Sequence, residues 1–154
     1  MTQEKLKQFL DACFDAKRLI EKLPDLPDGM KPRQGHVLDA VNEIQKKQGF
    51  CRVSDISSYM NTTLPSITKL VQELEERNLL VKQADEKDKR VINLTLTEEG
   101  KEFVELRVTH FHGEWASRLP DLDDAVVDEF VHAITRMQET MPGIKGVKSN
   151  GKRK

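Results

Sequence analysis

The chain is poor in cysteine, in aromatic residues and in long apolar runs, and it carries no excess of charge of either sign. Its two cysteines, Cys13 and Cys51, are too few for a disulfide scaffold and lack the spacing of a zinc site. No apolar run approaches the ~20 residues that cross a bilayer, so no membrane partner is expected. The N-terminal MTQEKLKQFLDACFDAK is charged and has no secretory hydrophobic region, which makes a cytoplasmic location the expectation. A glycine-rich phosphate loop, a nucleophile motif and a clustered carboxylate pair are all missing, which argues against an enzyme, and no cofactor is expected. Long linkers and internal repeats are also missing. The formal net charge of −1 speaks against a nucleic-acid binder if read over the whole chain. A sequence-specific binder, however, needs only a local positive surface.

What is present fits one helix-rich domain of 154 residues with a full core. A first helix is expected from about Glu4 to Leu23, with Leu6, Phe9, Leu10, Cys13, Phe14, Ile20 and Leu23 apolar. These cover more than one face, so the helix needs a second surface to bury against. PDLPDG ends it. A second helix starts near Lys31-Pro32, carries Val37, Leu38, Val41 and Ile44, and stops at Gly49. Phe50-Cys51-Arg52-Val53 reads as a very short strand. Ser54 is the expected N-cap of a helix DISSYM, which Asn61 closes in the left-handed conformation.

The next helix, TLPSITKLVQELEER, places Ile67, Leu70, Val71 and Leu74 on one apolar stripe. At roughly 100° per residue, Pro65, Lys69, Gln72 and Glu76 fall on the opposite face, with Ser66, Thr68 and Glu73 on the flanks. Thr62 or Thr63 caps it, Pro65 lies in its first turn, and Asn78 ends it. A strand over Leu79–Gln83, a charged hairpin of Asp85 to Arg90 and a strand over Val91–Leu96 follow; Ile92, Leu94 and Leu96 are expected on its buried face. Thr97 then caps a long helix whose inner side is marked by Phe103, Leu106, His110 and Phe111. A last helix from Asp123 or Asp124 carries Val127, Phe130, Val131, Ile134, Met137 and Met141. The order is that of a winged helix-turn-helix: mainly α, six helices, with a small antiparallel β wing.

At the hairpin, LEERNLLVKQADEKDKRVINLTLTEEG resembles the signature region of the MarR family of bacterial transcription regulators. An Asp-x-Arg element (Asp88, Lys89, Arg90) is followed by a strand ending in Leu-Thr-x-x-Gly (Leu96, Thr97, Gly100). The resemblance covers about Glu4 to Met141. Asn78 departs from the Gly that the family usually has there, and Pro65 resembles the multidrug-efflux repressors within it. The resemblance implies a symmetric dimer held by the terminal helices, a palindromic double-stranded DNA operator, and release by a small-molecule effector. The excess apolar surface of the terminal helices points to the same homodimer. The chain then divides into an N-terminal dimerisation helix and loop (1–30), a winged lobe (31–100), C-terminal dimerisation helices (101–142) and a basic tail (143–154) expected to be disordered. Two-fold symmetry places two recognition helices roughly 34–36 Å apart, with the wings at the flanking minor grooves.

The expected DNA-binding residues follow. Arg90 suits a narrow A·T-rich minor groove, where negative potential is concentrated. Asp88 holds the wing or orients that Arg, and Lys87 and Lys89 are phosphate candidates. On the recognition helix Ser66, Thr68, Lys69 and Gln72 are the candidate contacts: Lys69 for guanine or phosphate, Gln72 for adenine. Thr62 and Thr63 are candidates for phosphate donors and for helix caps alike. Arg52 and Lys82 lie beside the wing strands as backbone contacts.

The readings weighed against this are a winged-helix interaction adaptor that does not bind DNA, which a near-neutral lobe permits, and a zinc- or redox-sensing regulator of the same fold. Asp11 and Asp15 beside Cys13 oppose a reactive thiol. His36, His110, His112 and His132 include no i, i+4 pair, and no metal site is expected. Met30, Met60, Phe111 and Trp115 are candidates to line an effector pocket.

Overall fold

Capping and turn residues divide the chain into its elements, and the computed structural model, which describes residues 1–143, follows them closely. Helix α1 spans Gln3–Glu21, and the Thr2 hydroxyl accepts the Lys5 N–H at 3.2 Å. Helix α2 spans Pro32–Gln48, with proline in its first turn and Gly49 ending it at φ 84°. Gly35 packs closely under the preceding connection: a Cβ there would lie 2.7 Å from Leu26 Cδ1, so the Leu26 side chain would have to shift.

Helix α3 spans Val53–Tyr59, and helix α4, the expected recognition helix, spans Leu64–Glu76. Asn61 (φ 47°) and Asn78 (φ 57°) end them in the left-handed region, as expected. Strands β1 (Leu80–Ala84) and β2 (Ile92–Leu96) pair antiparallel, Leu80 opposite Leu96 and Ala84 opposite Ile92. The Thr97 hydroxyl donates to the Asn78 carbonyl at 2.7 Å and accepts the Gly100 N–H at 3.0 Å. It thus caps helix α5 and ties it to the end of α4. The signature Gly100 has a plain physical reason: a Cβ there would sit 1.9 Å from the Leu79 carbonyl oxygen. Helix α5 comprises Glu98–Phe103, a π-helical stretch Val104–Thr109 and His110–Ser117; helix α6 spans Asp124–Thr140 and is capped by Asp123.

Several expectations need correction. Arg52, not Ser54, is the N-cap of α3, and the Asp55 carboxylate accepts the Arg52 N–H at 2.8 Å. Phe50–Val53 forms no strand; the Cys51 carbonyl makes one sheet-like hydrogen bond, from the Leu94 N–H at 2.7 Å. Ile92 is 42% exposed while Leu94 and Leu96 are buried, because the sheet outruns the core at the wing. In α5 Gly100, Val104 and Val108 are buried and Phe103 packs against the core, whereas Leu106 is 54% exposed. The π stretch puts an extra residue into each turn and so shifts the inner face away from the simple helical period. The basic tail from residue 144 lies outside the described residues.

The chain forms two compact units, Met1–Gly113 and the segment from Glu114 onward. In the first, Leu38, Val41, Ile56, Ile67, Val71, Leu74, Leu80 and Leu94 are fully buried between α2, α3, α4 and the sheet. Each such side chain contributes roughly 1.5–3 kcal/mol. This core holds α4 by its apolar stripe and leaves the opposite face outside. In the second, α6 has no buried residue. Among the described residues no helix is long and apolar enough to cross a membrane.

Candidate nucleic-acid interface

The apolar stripe of α4 fixes what its outer face offers. Ile67, Val71 and Leu74 are buried, so Lys69 and Gln72 point the other way, and the Lys69 side chain is 80% exposed. Both meet an acid one turn on. Lys69 Nζ lies 4.0 Å from Glu73 Oε1, and Gln72 Nε2 donates to Glu76 Oε1 at 3.3 Å. Such i, i+4 pairs on an exposed helix contribute only about 0.2–0.5 kcal/mol, so a stronger partner displaces them readily. Thr68 is exposed, but its hydroxyl donates to the Leu64 carbonyl at 2.9 Å, and its acceptor capacity stays open.

The N-terminal edge is built from hydroxyls. Thr63 is the N-cap residue of α4, yet its side chain makes no capping bond and shares a hydrogen bond with the Ser66 hydroxyl at 2.9 Å. Thr62 is turned into the helix-turn-helix connection. Its hydroxyl donates to the Met60 carbonyl at 3.2 Å and accepts from Arg33 at 3.3 Å, and its carbonyl accepts the Ser57 hydroxyl. Thr62 is therefore neither the cap nor an open donor.

The wing is organised by two carboxylates. Asp85 accepts the N–H groups of Lys87 at 2.9 Å and Asp88 at 3.1 Å, and the Asn93 amide at 3.1 Å. The N–H bonds, that of Asp88 first, hold its carboxyl below the usual range. Asp88 accepts the Arg90 guanidinium through both oxygens, at 3.0 and 3.1 Å, and the Arg90 backbone N–H at 3.1 Å. The guanidinium, and then that N–H, hold the Asp88 carboxyl low, while Asp88 pushes the Arg90 value up. The Arg90 side chain stays 89% exposed, so the pair adds little stability. What it does is fix the direction of a cation at the tip of the hairpin. Lys87 and Lys89 are exposed beside it. Lys82 is bound to Glu75 at 2.7 Å, strapping β1 to α4, and Arg52 stacks over the Phe50 ring at 4.9 Å.

The site residues therefore gather into two groups, the outer face of α4 and the wing tip. The sequence reading missed Asp85, the hub of the wing, although an Asp opening a hairpin is a known turn signal. It also missed Gln34, which is buried and donates to Glu73 at 3.0 Å, and Arg33 at Thr62. These two contacts span 39 and 29 residues of sequence, and no local pattern announces them.

Elsewhere, Cys51 is buried and its thiol is pushed up to about 12, by burial first and by Asp55 second, which makes it unreactive. Cys13 is half-buried. His36 packs edge-on to Tyr59 with ring centres 6.4 Å apart. Among the described residues no three His, Cys, Asp or Glu side chains are grouped to hold a metal. Two open clefts flank the first unit. One, of about 390 Å³, is lined by Met30, Leu79, Phe103, Leu106, Arg77 and Arg107, among others. The other, of about 640 Å³, lies against α4 at Leu70, Glu73, Glu76 and Arg77. Of the four residues expected at an effector pocket, Met30 lines the first.

Comparison with known proteins agrees with this architecture. Residues 28–91 match the MarR family. The HTH-type transcriptional repressor MdtR of Bacillus subtilis (strain 168) is 38% identical over 72 residues, which cover 47% of this chain and 44% of that relative, so the match spans less than half of the relative's length. Among solved structures, a Staphylococcus aureus MepR–DNA complex aligns with a TM-score of 0.59 at 21% identity, covering 92% of this chain and 99% of that one. MepR bound to ethidium bromide aligns with a TM-score of 0.52 at 21% identity over 92% and 98%. Streptococcus pneumoniae FabT in complex with DNA aligns with a TM-score of 0.63 at 19% identity, over 90% and 96% of the two chains. These structural likenesses extend the shared fold from the lobe to nearly the whole chain. With its helix order, its Asp88–Arg90 wing and the close approach of Gly100 to Leu79, the chain has the winged helix-turn-helix fold of these structures, and its segment 28–91 is similar to the MarR family.

Proposed function

We propose that this chain is a sequence-specific DNA-binding transcriptional repressor that acts as a homodimer on palindromic operators and is released by a small ligand. One observation carries the reading. The lobe core grips α4 by Ile67, Val71 and Leu74 and leaves an outer face of short polar groups, one Lys and one Gln, beside a wing whose Arg90 is aimed by Asp88. Lys69 and Gln72 suit base edges in a major groove, and Ser66, Thr63 and Thr68 suit the phosphates or edges nearby. Arg90 suits a narrow minor groove, with Lys87 and Lys89 on its phosphates. That MdtR is a repressor, and that MepR and FabT are solved with DNA, supports the same reading.

The dimer rests on the terminal helices. Helix α1 leaves Leu6, Leu10, Phe14, Leu19 and Ile20 exposed, and α6 leaves Val126, Val127 and Val131 exposed. Apolar surface on this scale is what a second copy covers. For the effector, the 390 Å³ cleft joins Phe103 and Leu106 of α5 to Arg77 at the end of α4, so a ligand there would touch the recognition helix. The ethidium complex of MepR shows that a relative of this fold takes a small ligand.

The test is selection of bound fragments from the protein's own genome, followed by affinity for the selected site against random duplex. A preference of at least about a thousandfold is expected of a specific regulator. Equal or absent binding would leave the interaction-adaptor reading in its place.

A further inference from the structure

We propose that Arg33, at the start of α2, binds a DNA phosphate at the N-terminal edge of the recognition helix, and that Thr62 is its bracket and not itself a contact. The inference rests on the DNA-binding reading above. Arg33 Nη2 donates to Thr62 Oγ1 at 3.3 Å. The Thr62 hydroxyl has a single hydrogen, and that goes to the Met60 carbonyl at 3.2 Å. Its backbone N–H is also taken, by the Ser57 carbonyl at 2.9 Å. Thr62 thus meets Arg33 as an acceptor and has no donor left for a phosphate.

The guanidinium is in the opposite condition. It carries five N–H donors in a planar fork, and the bond to Thr62 uses one. The residue is exposed. Of the cations that share its cleft, Lys31 pairs with Asp25 at 2.9 Å and Arg77 donates to the Asp28 carbonyl at 3.1 Å. Among the described residues Arg33 forms no ion pair, although it shares the larger cleft with Glu73 and Glu76. Its backbone is also fixed against α4, because the next residue, Gln34, is buried and donates to Glu73 at 3.0 Å.

An exposed cation that keeps most of its donors, is held by a neutral hydroxyl and stands beside the first residues of the recognition helix has the chemistry of a phosphate clamp. In helix-turn-helix docking the N-terminal residues of the recognition helix lie in the groove, between the two phosphate backbones that flank it. The planar fork predicts that Lys replaces the charge but not the full affinity.

The experiment measures the affinity of the full chain for its genomic site and for random duplex of equal length across a salt series. Arg33→Ala, Arg33→Lys and Thr62→Val are compared with wild type, and circular dichroism checks each fold. Arg33→Ala is expected to weaken both duplexes by the same factor, at least about tenfold. Its slope of log K against log salt should be shallower by about 0.9 per contact, nearly two for a dimer. Arg33→Lys should restore the slope. Thr62→Val should keep the slope and lose less affinity on both duplexes. A folded Arg33→Ala protein with wild-type slope, or with loss confined to the genomic site, would overturn the proposal. A wild-type protein that binds no duplex at any salt would overturn the DNA reading itself, an outcome distinct from both.

Discussion

The winged lobe and the terminal helices use the same kinds of residue in opposite ways. Every buried apolar side chain among the described residues lies between Met30 and Val108. Helices α1 and α6 have regular apolar stripes and bury nothing. The lobe is therefore complete within one chain, and its stability should not depend on protein concentration. The terminal helices carry a hydrophobic surface that one chain does not use, and their stability should depend on concentration through the homodimer. In the proposed function the lobe would present the DNA face, and the terminal helices would set the distance between two such faces.

The sharpest way to break this contrast is to damage each region separately. Leu74→Ala removes a fully buried side chain from the base of α4 and should cost about 2–5 kcal/mol, read as the same shift in denaturant midpoint at low and high protein concentration. Gly100→Ala forces a Cβ to 1.9 Å from the Leu79 carbonyl oxygen and should cost up to about 3 kcal/mol by overpacking. Phe14→Ala acts differently, because Phe14 is 65% exposed in the single chain. It should leave the dilute monomer as stable as wild type and raise the dimer dissociation constant, by roughly tenfold for each ~1.4 kcal/mol lost. Sedimentation across a concentration series reads that shift. A wild-type chain that stays monomeric at micromolar concentration would remove the contrast altogether.

A smaller effect separates base reading from charge within the lobe itself. Gln72→Ala leaves the charge unchanged, so it should weaken the genomic site by about 1–3 kcal/mol and random duplex much less. Equal losses on the two would show that this face of α4 does not read bases.

What could be read from the sequence divides along the same line of local against distant contact. The stripe of α4, the left-handed Asn61 and Asn78, the Thr97 cap and the Asp88–Arg90 pair involve residues within a few positions of each other, so periodicity and turn chemistry expose them. The shift of the buried face in α5 was not legible, because the π stretch breaks the period on which the reading depends. Ile92 alternates correctly with Leu94 and Leu96, yet lies where the sheet outruns the core, and alternation does not report where a core ends. The strand expected at Phe50–Val53 reduces to one hydrogen bond, from Leu94 to Cys51, between segments far apart in sequence. Thr62 is neither a cap nor an open donor, because its hydroxyl hydrogen goes to the Met60 carbonyl and its oxygen meets Arg33 from 29 residues away.

The smallest expected effect is in acid. Asp85 and Asp88 both titrate below the ordinary value of 3.8 in the folded wing. A carboxylate with a depressed folded value stabilises fully above its unfolded value, and that stabilisation is lost as pH falls through the folded one. The wing should therefore be unaffected by pH above about 4 and loosen only below it. The amide resonances of Lys87, Asp88 and Arg90 should report this while those of the core strands stay fixed. Movement of those amides between pH 5 and 7 would contradict the hydrogen-bond pattern at the wing tip.

The most direct test of the central claim, that the lobe's outer face meets duplex DNA, is affinity for the genomic site across a salt series for wild type and Arg90→Ala. Each Arg90 contact should contribute about 0.9 to the slope of log K against log salt, so the variant dimer should lose nearly two units. Preference at flanking A·T positions, where groove width is read, should relax with it. A folded Arg90→Ala protein with unchanged affinity and slope would show that the wing does not touch DNA.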